Sequence, residues 1–352
     1  MATSIKDIAR IAGVSHSTVS RALRNSPLIP PETARRIQTI ADELGYRASA
    51  VARSLVTRKT EAIGVVVTSI ADPFNGEVVA GIEEVANQNG YSVILATSQT
   101  DPQREMAVVR SFHERRVDGI VVASSRVGAL YLPTLAEMQI PIVLLNNQHP
   151  SEFVYSVSID NIDGARQAAK HLIGLGHTAI AYIGDETGLE SDVERLKGFQ
   201  DAMTAAHLEI RPEFILRGDG KSEAAARRAF DLLALEDRPT AIFCYNDMSA
   251  LGALNAAAQL NVDVPAQLSV VGFDDLFFAG LMQPSLTTVH QPKRELGRRA
   301  MQLLVDLLSG RTPEKMQLIK GELVVRNSTA RPLITSRSGP GRTQTQDPRK
   351  RA

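Results

Sequence analysis

Apolar residues recur along this chain at two different periods. Up to about residue 45 the spacing is helical. Ile5, Ile8, Ala9 and Ala12 make one stripe, Val19, Ala22 and Leu23 a second, and Ala34, Ile37, Ala41 and Leu44 a third. Beyond residue 61, near-continuous apolar runs alternate with amphipathic stretches. The runs predict strands over 62–69, 91–98, 119–124, 140–146, 156–160, 179–185, 214–218, 241–246, 268–275 and 286–291. Apolar runs separated by helices indicate parallel strands covered on both faces. Their order predicts two successive doubly wound halves, split near residue 160, and leaves the last strands and helices free to cross back.

Punctuation sharpens the first segment. Ser4 opens a Ser-x-x-Asp start, Gly13 permits a sharp turn, and Ser15 is placed to cap a second helix. Pro31 suits the first position of a third helix, and Gly45 stops it. Three short helices, the first two joined by a tight glycine turn, form a helix-turn-helix unit over 1–46. With Val19, Ala22 and Leu23 turned inward, the second helix presents His16, Ser17, Ser20 and Arg21 outward. Such side chains suit the major groove: Arg21 can pair bidentately with a guanine, while His16 and Ser17 reach neighbouring bases. Thr18 and the flanking arginines would hold phosphates. The same face also reads as an ordinary solvated surface, and the residues alone leave both readings open.

Residues 47–60 form a linker without glycine or proline, carrying Arg47, Arg53, Arg58 and Lys59. Its "SAVARSL" stretch is too short to hold a helix alone, and Leu55 has no evident core to join. Either it is a plain tether or it folds on a surface such as a minor groove, with Leu55 as an apolar wedge.

In the body, 61–334, most predicted strands finish on a small or polar residue: Ser69, Ser98, Ser124, Asn146, Asp160, Asp185, Asn246 and Asp274. Ligands of open α/β sheets bind beyond such ends, and Asn and Asp suit a polyhydroxylated small molecule. Individually these residues also serve as helix caps; as a set they favour a cleft between two halves.

Charge changes the picture more than composition does. The 352 residues carry no net charge. Residues 1–60, however, hold ten Lys and Arg against four acids, a net +6, which leaves −6 on the rest. A basic head on an acidic body suggests an anionic partner for the head alone. No apolar run reaches membrane-spanning length, and the first residues lack a signal-peptide core, so a cytosolic protein with no membrane partner is expected. The single cysteine, Cys244, excludes a disulfide framework and a cysteine zinc cluster; it sits in an apolar run and reads as a buried inert thiol. His177 reads as structural. Adjacent Asp274 and Asp275 should point apart, which makes a poor catalytic dyad. No phosphate-binding glycine loop, metal-binding helix motif or nucleophile elbow is present, so neither an enzyme nor a metal or organic cofactor is expected. The tail, 335–352, is polar, basic and expected to be disordered. A sugar-carrying solute-binding protein is the main alternative, opposed by the basic head.

Seven segments together carry a resemblance: "IKDIARIAGVSHSTVSRALRN", "ADELGYRASAVARSL", "RRVDGIVV", "HLIGLGHTAIAYIG", "RLKGF", "YNDMSALGAL" and "VPAQLSVVGFDD". In sequence and order they resemble the lactose/galactose repressor family of bacterial transcription regulators, from about residue 4 to about 330. The resemblance implies a repressor that reads double-stranded operator DNA as a homodimer, or as a tetramer. It also implies a hinge helix entering the minor groove, with Leu55 as the lever and Ala52 and Arg53 beside it. The body would resemble periplasmic sugar-binding proteins, with an allosteric effector between its halves. Matching positions put His16, Ser17 and Arg21 at base-reading places. Phe74, Asn75, Asn146, Ser191, Arg195, Asn246 and Asp274 fall at effector-binding places. Three residues depart from the pattern. Gly220 stands where several members place a stacking aromatic, Leu189 where purine-responsive members have a charged contact, and Ala123 where the lactose-responsive type is polar. These departures point away from a purine effector; the effector expected from the polar cleft and the resemblance is a sugar or sugar derivative.

Overall fold

The computed structural model describes residues 4–46, 59–123, 138, 140–146 and 155–333. The first segment holds three helices: α1 (Ile5–Ala12), α2 (His16–Ala22) and α3 (Pro31–Glu43). The Ser4 backbone N–H and hydroxyl both donate to the Asp7 carboxylate, at 3.0 and 2.7 Å, so Asp7 rather than Ser4 supplies the acceptor at this start. Gly13 adopts φ +63°, a left-handed conformation in which most side chains would be strained, and turns the chain into α2. The Ser15 hydroxyl caps α2 by accepting from the Thr18 N–H at 3.1 Å. Ile8, Val19 and Ile37, one from each helix, are fully buried at the centre of the bundle. Arg36 donates to the Ala12 carbonyl at 3.0 Å and so satisfies an end of α1.

The body contains two six-stranded sheets. The first lobe comprises β1 (Ala62–Val67), β2 (Ser92–Thr97), β3 (Gly119–Ala123), β4 (Ile142–Leu145), β5 (Tyr155–Ile159) and β11 (Met316–Ile319), in the order β11-β5-β4-β3-β1-β2. Every pairing in it is parallel. The second lobe comprises β6 (Ile180–Asp185), β7 (Ile215–Gly218), β8 (Ala241–Cys244), β9 (Ser269–Asp274), β10 (Thr287–His290) and β12 (Glu322–Val324), in the order β12-β10-β9-β8-β6-β7. Only β12 runs antiparallel to its neighbour.

The helices that matter for the site are α4 (Pro73–Gln88), α6 (Asn161–Gly174), α7 (Glu190–Ala205), α8 (Ser222–Leu233), α9 (Asp247–Gln259) and α10 (Lys293–Leu308); α5 (Pro102–Glu114) covers the outer face of the first sheet. The chain passes between lobes three times: from β5 into α6, from β10 into α10, and from β11 to β12. The expected split near residue 160 therefore falls at the first crossing. Leu296, Ala300, Met301 and Leu304 of α10 belong to the core of the first lobe, so the late elements do cross back. In that core α4 and α10 meet backbone to backbone: a Cβ built on Gly297 would lie 2.0 Å from the Val78 carbonyl oxygen.

The ten predicted strands are present, nine with shorter ends and β5 shifted back by one residue, and two further ones, β11 and β12, complete the sheet edges. The proposed linker positions Ala52, Arg53 and Leu55, the strand end Ser124 and the tail 335–352 lie outside the described residues. Two predicted strand ends do other work. Ser98 is buried against the Val67 carbonyl, and Asp160 caps α6 by accepting from the Asp163 N–H at 2.9 Å.

Candidate functional site

A cavity of about 310 Å³ lies between the lobes. Thr68, Ser69, Asp72, Phe74, Asn75 and Asn146 line it from the first lobe, and Asp185, Ser191, Arg195, Tyr245, Asn246 and Asp274 from the second. The structure thus gathers all seven residues singled out for effector binding on one cavity. They do not all present free hydrogen-bonding groups. Asn75 donates to the Ser69 carbonyl at 2.8 Å and to the Thr68 hydroxyl at 3.1 Å, which fixes the start of α4. Asn246 caps α9, accepting from the Ser249 N–H at 2.8 Å, and donates to the Gly220 carbonyl at 3.0 Å. Asn146, at φ +51°, accepts from the Ile159 N–H at 3.3 Å. These three amides hold the walls in place.

The floor of the second lobe is ionic. Arg195, buried on α7, lies 3.4 Å from the Asp274 carboxylate and donates to the Tyr245 carbonyl at 2.7 Å and the Asn161 amide oxygen at 3.0 Å. Its guanidinium carbon stands 3.8 Å from the centre of the Phe273 ring and 4.7 Å from that of Tyr245. Planar stacking of this kind suits Arg and not Lys. Gln291 donates to Asp274 at 2.5 Å. Burial raises the Asp274 carboxyl to about 6; Arg195 opposes that rise, and Asp72 across the cleft adds to it. Ser191 and the Tyr245 hydroxyl share a 3.0 Å hydrogen bond beside this pair.

Among the described residues, carboxylates outnumber cations around the cavity. Asp72, Asp185, Asp219, Glu223 and Asp274 face Arg195 and Lys221, and Lys221 sits 3.6 Å from Asp219. Burial raises Asp72 and Asp185 above the usual carboxylate range. Asp185 is held by the Thr187 N–H and hydroxyl. Behind it the fully buried Asp192 accepts from Tyr182, the Asp185 N–H and Arg217.

Of the departures noted in the sequence, Gly220 and Leu189 line the cavity. Gly220 stands at φ +75°, and a Cβ there would lie 3.1 Å from an Asp185 oxygen. Ala123 is instead buried in the first-lobe core. Sequence reasoning passed over Asp72 and Tyr245. Asp72 has a signal of its own, since an acid before Pro73 caps a helix start; it accepts from the Phe74 N–H at 3.0 Å. Tyr245 sits in an apolar run and gives none.

On the small domain, His16, Ser17 and Arg21 are exposed on α2, with Thr18 and Ser20 half-buried beside them. The Ser17 and Thr18 hydroxyls both contact Ser15, at 2.7 and 2.9 Å. The Arg21 guanidinium has no partner among the described residues. His177 bonds Thr240, Ser269 and the Ala330 carbonyl, a structural role. Cys244 is buried, and burial pushes its thiol well up. Asp275 turns away from Asp274 toward His290 and Arg326. Among the described residues no helix is long and apolar enough to cross a membrane.

Comparison with known proteins agrees at both ends of the chain. Residues 4–49 match the bacterial regulatory proteins of the lacI family, and residues 169–329 a periplasmic binding protein-like domain. The HTH-type transcriptional repressor PurR of Photobacterium profundum is 36% identical over 330 residues, 93% of this chain and 98% of the relative. The HTH-type transcriptional regulator RegA of Clostridium saccharobutylicum is 36% identical over 94% of this chain and all of its own. Among solved structures, the lac repressor dimer bound to operator and the anti-inducer ONPF superposes with a TM-score of 0.85 at 27% identity, covering 94% of this chain and 100% of that one. A complex of the regulator CelR with cellobiose gives 0.71 at 30% identity, covering 93% and 99%.

Proposed function

The chain belongs to the lacI family of bacterial regulatory proteins and is a DNA-binding transcriptional repressor of that family; from this premise we propose that a small, uncharged, hydroxyl-rich effector bound between the lobes, a sugar or close derivative, sets its affinity for operator DNA. The observation that carries the effector class is the charge balance of the cavity. Among the described residues its carboxylates exceed its cations, and Arg195 is already committed to Asp274, Tyr245 and Asn161. Carboxylates accept hydrogen bonds from hydroxyls and repel phosphates and sugar acids. The Phe74 ring supplies an apolar face for the edge of a sugar ring.

On this reading, α2 lies in the major groove, with His16, Ser17 and Arg21 at base edges and Thr18 and Ser20 beside them. Two copies pair over a near-palindromic operator. Support for pairing comes from apolar side chains left exposed on the body, Ile94 and Leu95 on the edge strand β2 and Phe277 and Leu281 on the second lobe. Ala52, Arg53 and Leu55 make the hinge contact. Effector binding resets the lobes and so the cost of placing both hinges on DNA. A coupling of about 1–3 kcal/mol changes operator affinity roughly 5- to 150-fold.

Thermal unfolding of the purified chain against neutral sugars, amino sugars, sugar phosphates, sugar acids and nucleosides tests this. A specific ligand raises the transition temperature by mass action, and neutral hydroxyl-rich compounds are the ones expected to do so. Stabilisation by sugar phosphates or nucleosides alone would overturn the effector class.

A further inference from the structure

We infer that Lys293 is a positioning residue: it pins the Asp274–Asp275 turn of the second lobe to the first lobe and so sets the angle at which the two walls of the cleft meet. Lys293 opens α10, whose body is packed in the first-lobe core. Its side chain nevertheless runs back to the second lobe and is only 2% exposed. There the ammonium donates to the carbonyls of Asp274 at 2.7 Å, Asp275 at 2.9 Å and Gln291 at 3.4 Å. An ammonium has three N–H donors, and three carbonyls use them all. The nearest carboxylate, Glu77 on α4, is 3.7 Å away and half exposed. A buried cation supported mainly by backbone dipoles is costly to keep unless those carbonyls stay where they are. Lys293 therefore ties itself to one geometry of the turn.

That geometry is unusual. Asp274 has φ +113° and Asp275 φ +52°, consecutive residues with side chains in a region that favours glycine. The turn directs the Asp274 carboxylate to Arg195 at the cavity floor and the Asp275 carboxylate to Arg326 and His290 on the other side. The same lysine that holds this turn starts the helix that packs tightly on α4, and α4 begins at Pro73, next to Phe74 on the opposite wall. One side chain thus joins the two walls through the second crossing. Its meaning for regulation rests on the reading of the cleft as an effector site; the pin itself does not.

The test is an interlobe distance distribution in the full chain, from spin labels at Asn87→Cys on α4 and Arg227→Cys on α8, both exposed, with native Cys244 buried and silent. The labelled parent protein is expected to give one narrow distribution. Lys293→Met is expected to broaden it and add longer distances, whereas Glu77→Gln, which leaves the three carbonyl bonds in place, is expected to keep it narrow. An unchanged distribution in folded Lys293→Met overturns the inference; should Lys293→Met not fold, Lys293→Gln decides in its place. Neither DNA nor effector enters the measurement, so its failure and that of the effector reading are separately visible.

Discussion

Arg195 and Asp274 form a buried ion pair, 3.4 Å apart, at the point where α7 and the end of β9 meet the cavity floor. The two partners are not equivalent. Arg195 has further support from Tyr245, Asn161 and two aromatic faces, whereas among the described residues Asp274 accepts one further side-chain hydrogen bond, from Gln291, and feels the charge of Lys293. The Gln291 amide oxygen is in turn the one buried side-chain oxygen or nitrogen without a hydrogen bond among the described residues.

Removing the cation should therefore cost more than removing the anion. Arg195→Met strands a buried carboxylate and is expected to destabilise the body by about 3–5 kcal/mol. Asp274→Ala is expected to be milder and to abolish the effector response while operator binding persists. Denaturant unfolding and effector titrations of operator binding check both; a normal dose–response in Asp274→Ala would remove that residue from the site.

Arg21 gives a separate expectation on the DNA side. With no partner to lose among the described residues, Arg21→Ala should leave the three-helix bundle intact. It should relax sequence preference by about 1–3 kcal/mol per half-site. Competition between operator and random duplex measures this. Equal losses on both would reassign Arg21 to the phosphates.

The pH dependence of stability follows from two buried acids. Asp247 accepts from Thr288 at 2.6 Å and the Leu276 N–H at 2.7 Å, yet burial raises it to about 8 from an ordinary 3.8. A carboxyl raised by folding stabilises the fold fully below pH 3.8 and loses that contribution as pH climbs through its folded value. Asp274, at about 6, completes its loss earlier. Between pH 6.5 and 8 the remaining slope belongs to Asp247, at most about 1.4 kcal/mol per pH unit. His171 and His177, both lowered by burial, act mainly below that window, with a remainder near pH 6.5, and with the opposite sign. Thermal unfolding is expected to weaken from pH 6.5 to 8 in the native chain and to be flatter in Asp247→Asn. A flat native profile would count against a neutral Asp247.

Much of this architecture was legible because most body strands are buried on both faces and so read as unbroken apolar runs; the edge strand β2 reads the same way although Ile94 and Leu95 are exposed. Strands β11 and β12 escaped for the converse reason: Met316 and Leu318 are exposed and β12 has only three residues, so neither shows the pattern. Polar strand ends correctly marked Asn146, Asp185, Asn246 and Asp274 as cavity residues, since a sheet end is where backbone stops using its own hydrogen bonds. Ser98 and Asp160 follow the other reading such ends allow and serve local bonds, Asp160 as a helix cap. Lys293 was invisible: a lysine after proline at a helix start reads as solvated, and only the crossing of the chain between lobes buries it.

The contact between α4 and α10 allows a controlled comparison within one helix. A Cβ at Gly81 would lie 2.1 Å from the Arg294 carbonyl oxygen, and one at Gly297 2.0 Å from that of Val78. Both obstacles are backbone, so no side-chain rotation relieves them and the helices must part. Gly297→Ala and Gly81→Ala are expected to destabilise the first lobe by about 1–3 kcal/mol or more. Gly76, on the same helix α4 as Gly81, is exposed and meets nothing within 4 Å. There the ordinary helical preference governs, and Gly76→Ala should stabilise by about 0.5–1 kcal/mol. Because the first turn of α4 carries Phe74 and α10 starts at Lys293, the two destabilising changes should also shift the effector dose–response, while Gly76→Ala should leave it alone. Equal unfolding free energies for all three variants would show that the helices separate freely, and that their close approach does not fix the geometry of the cleft.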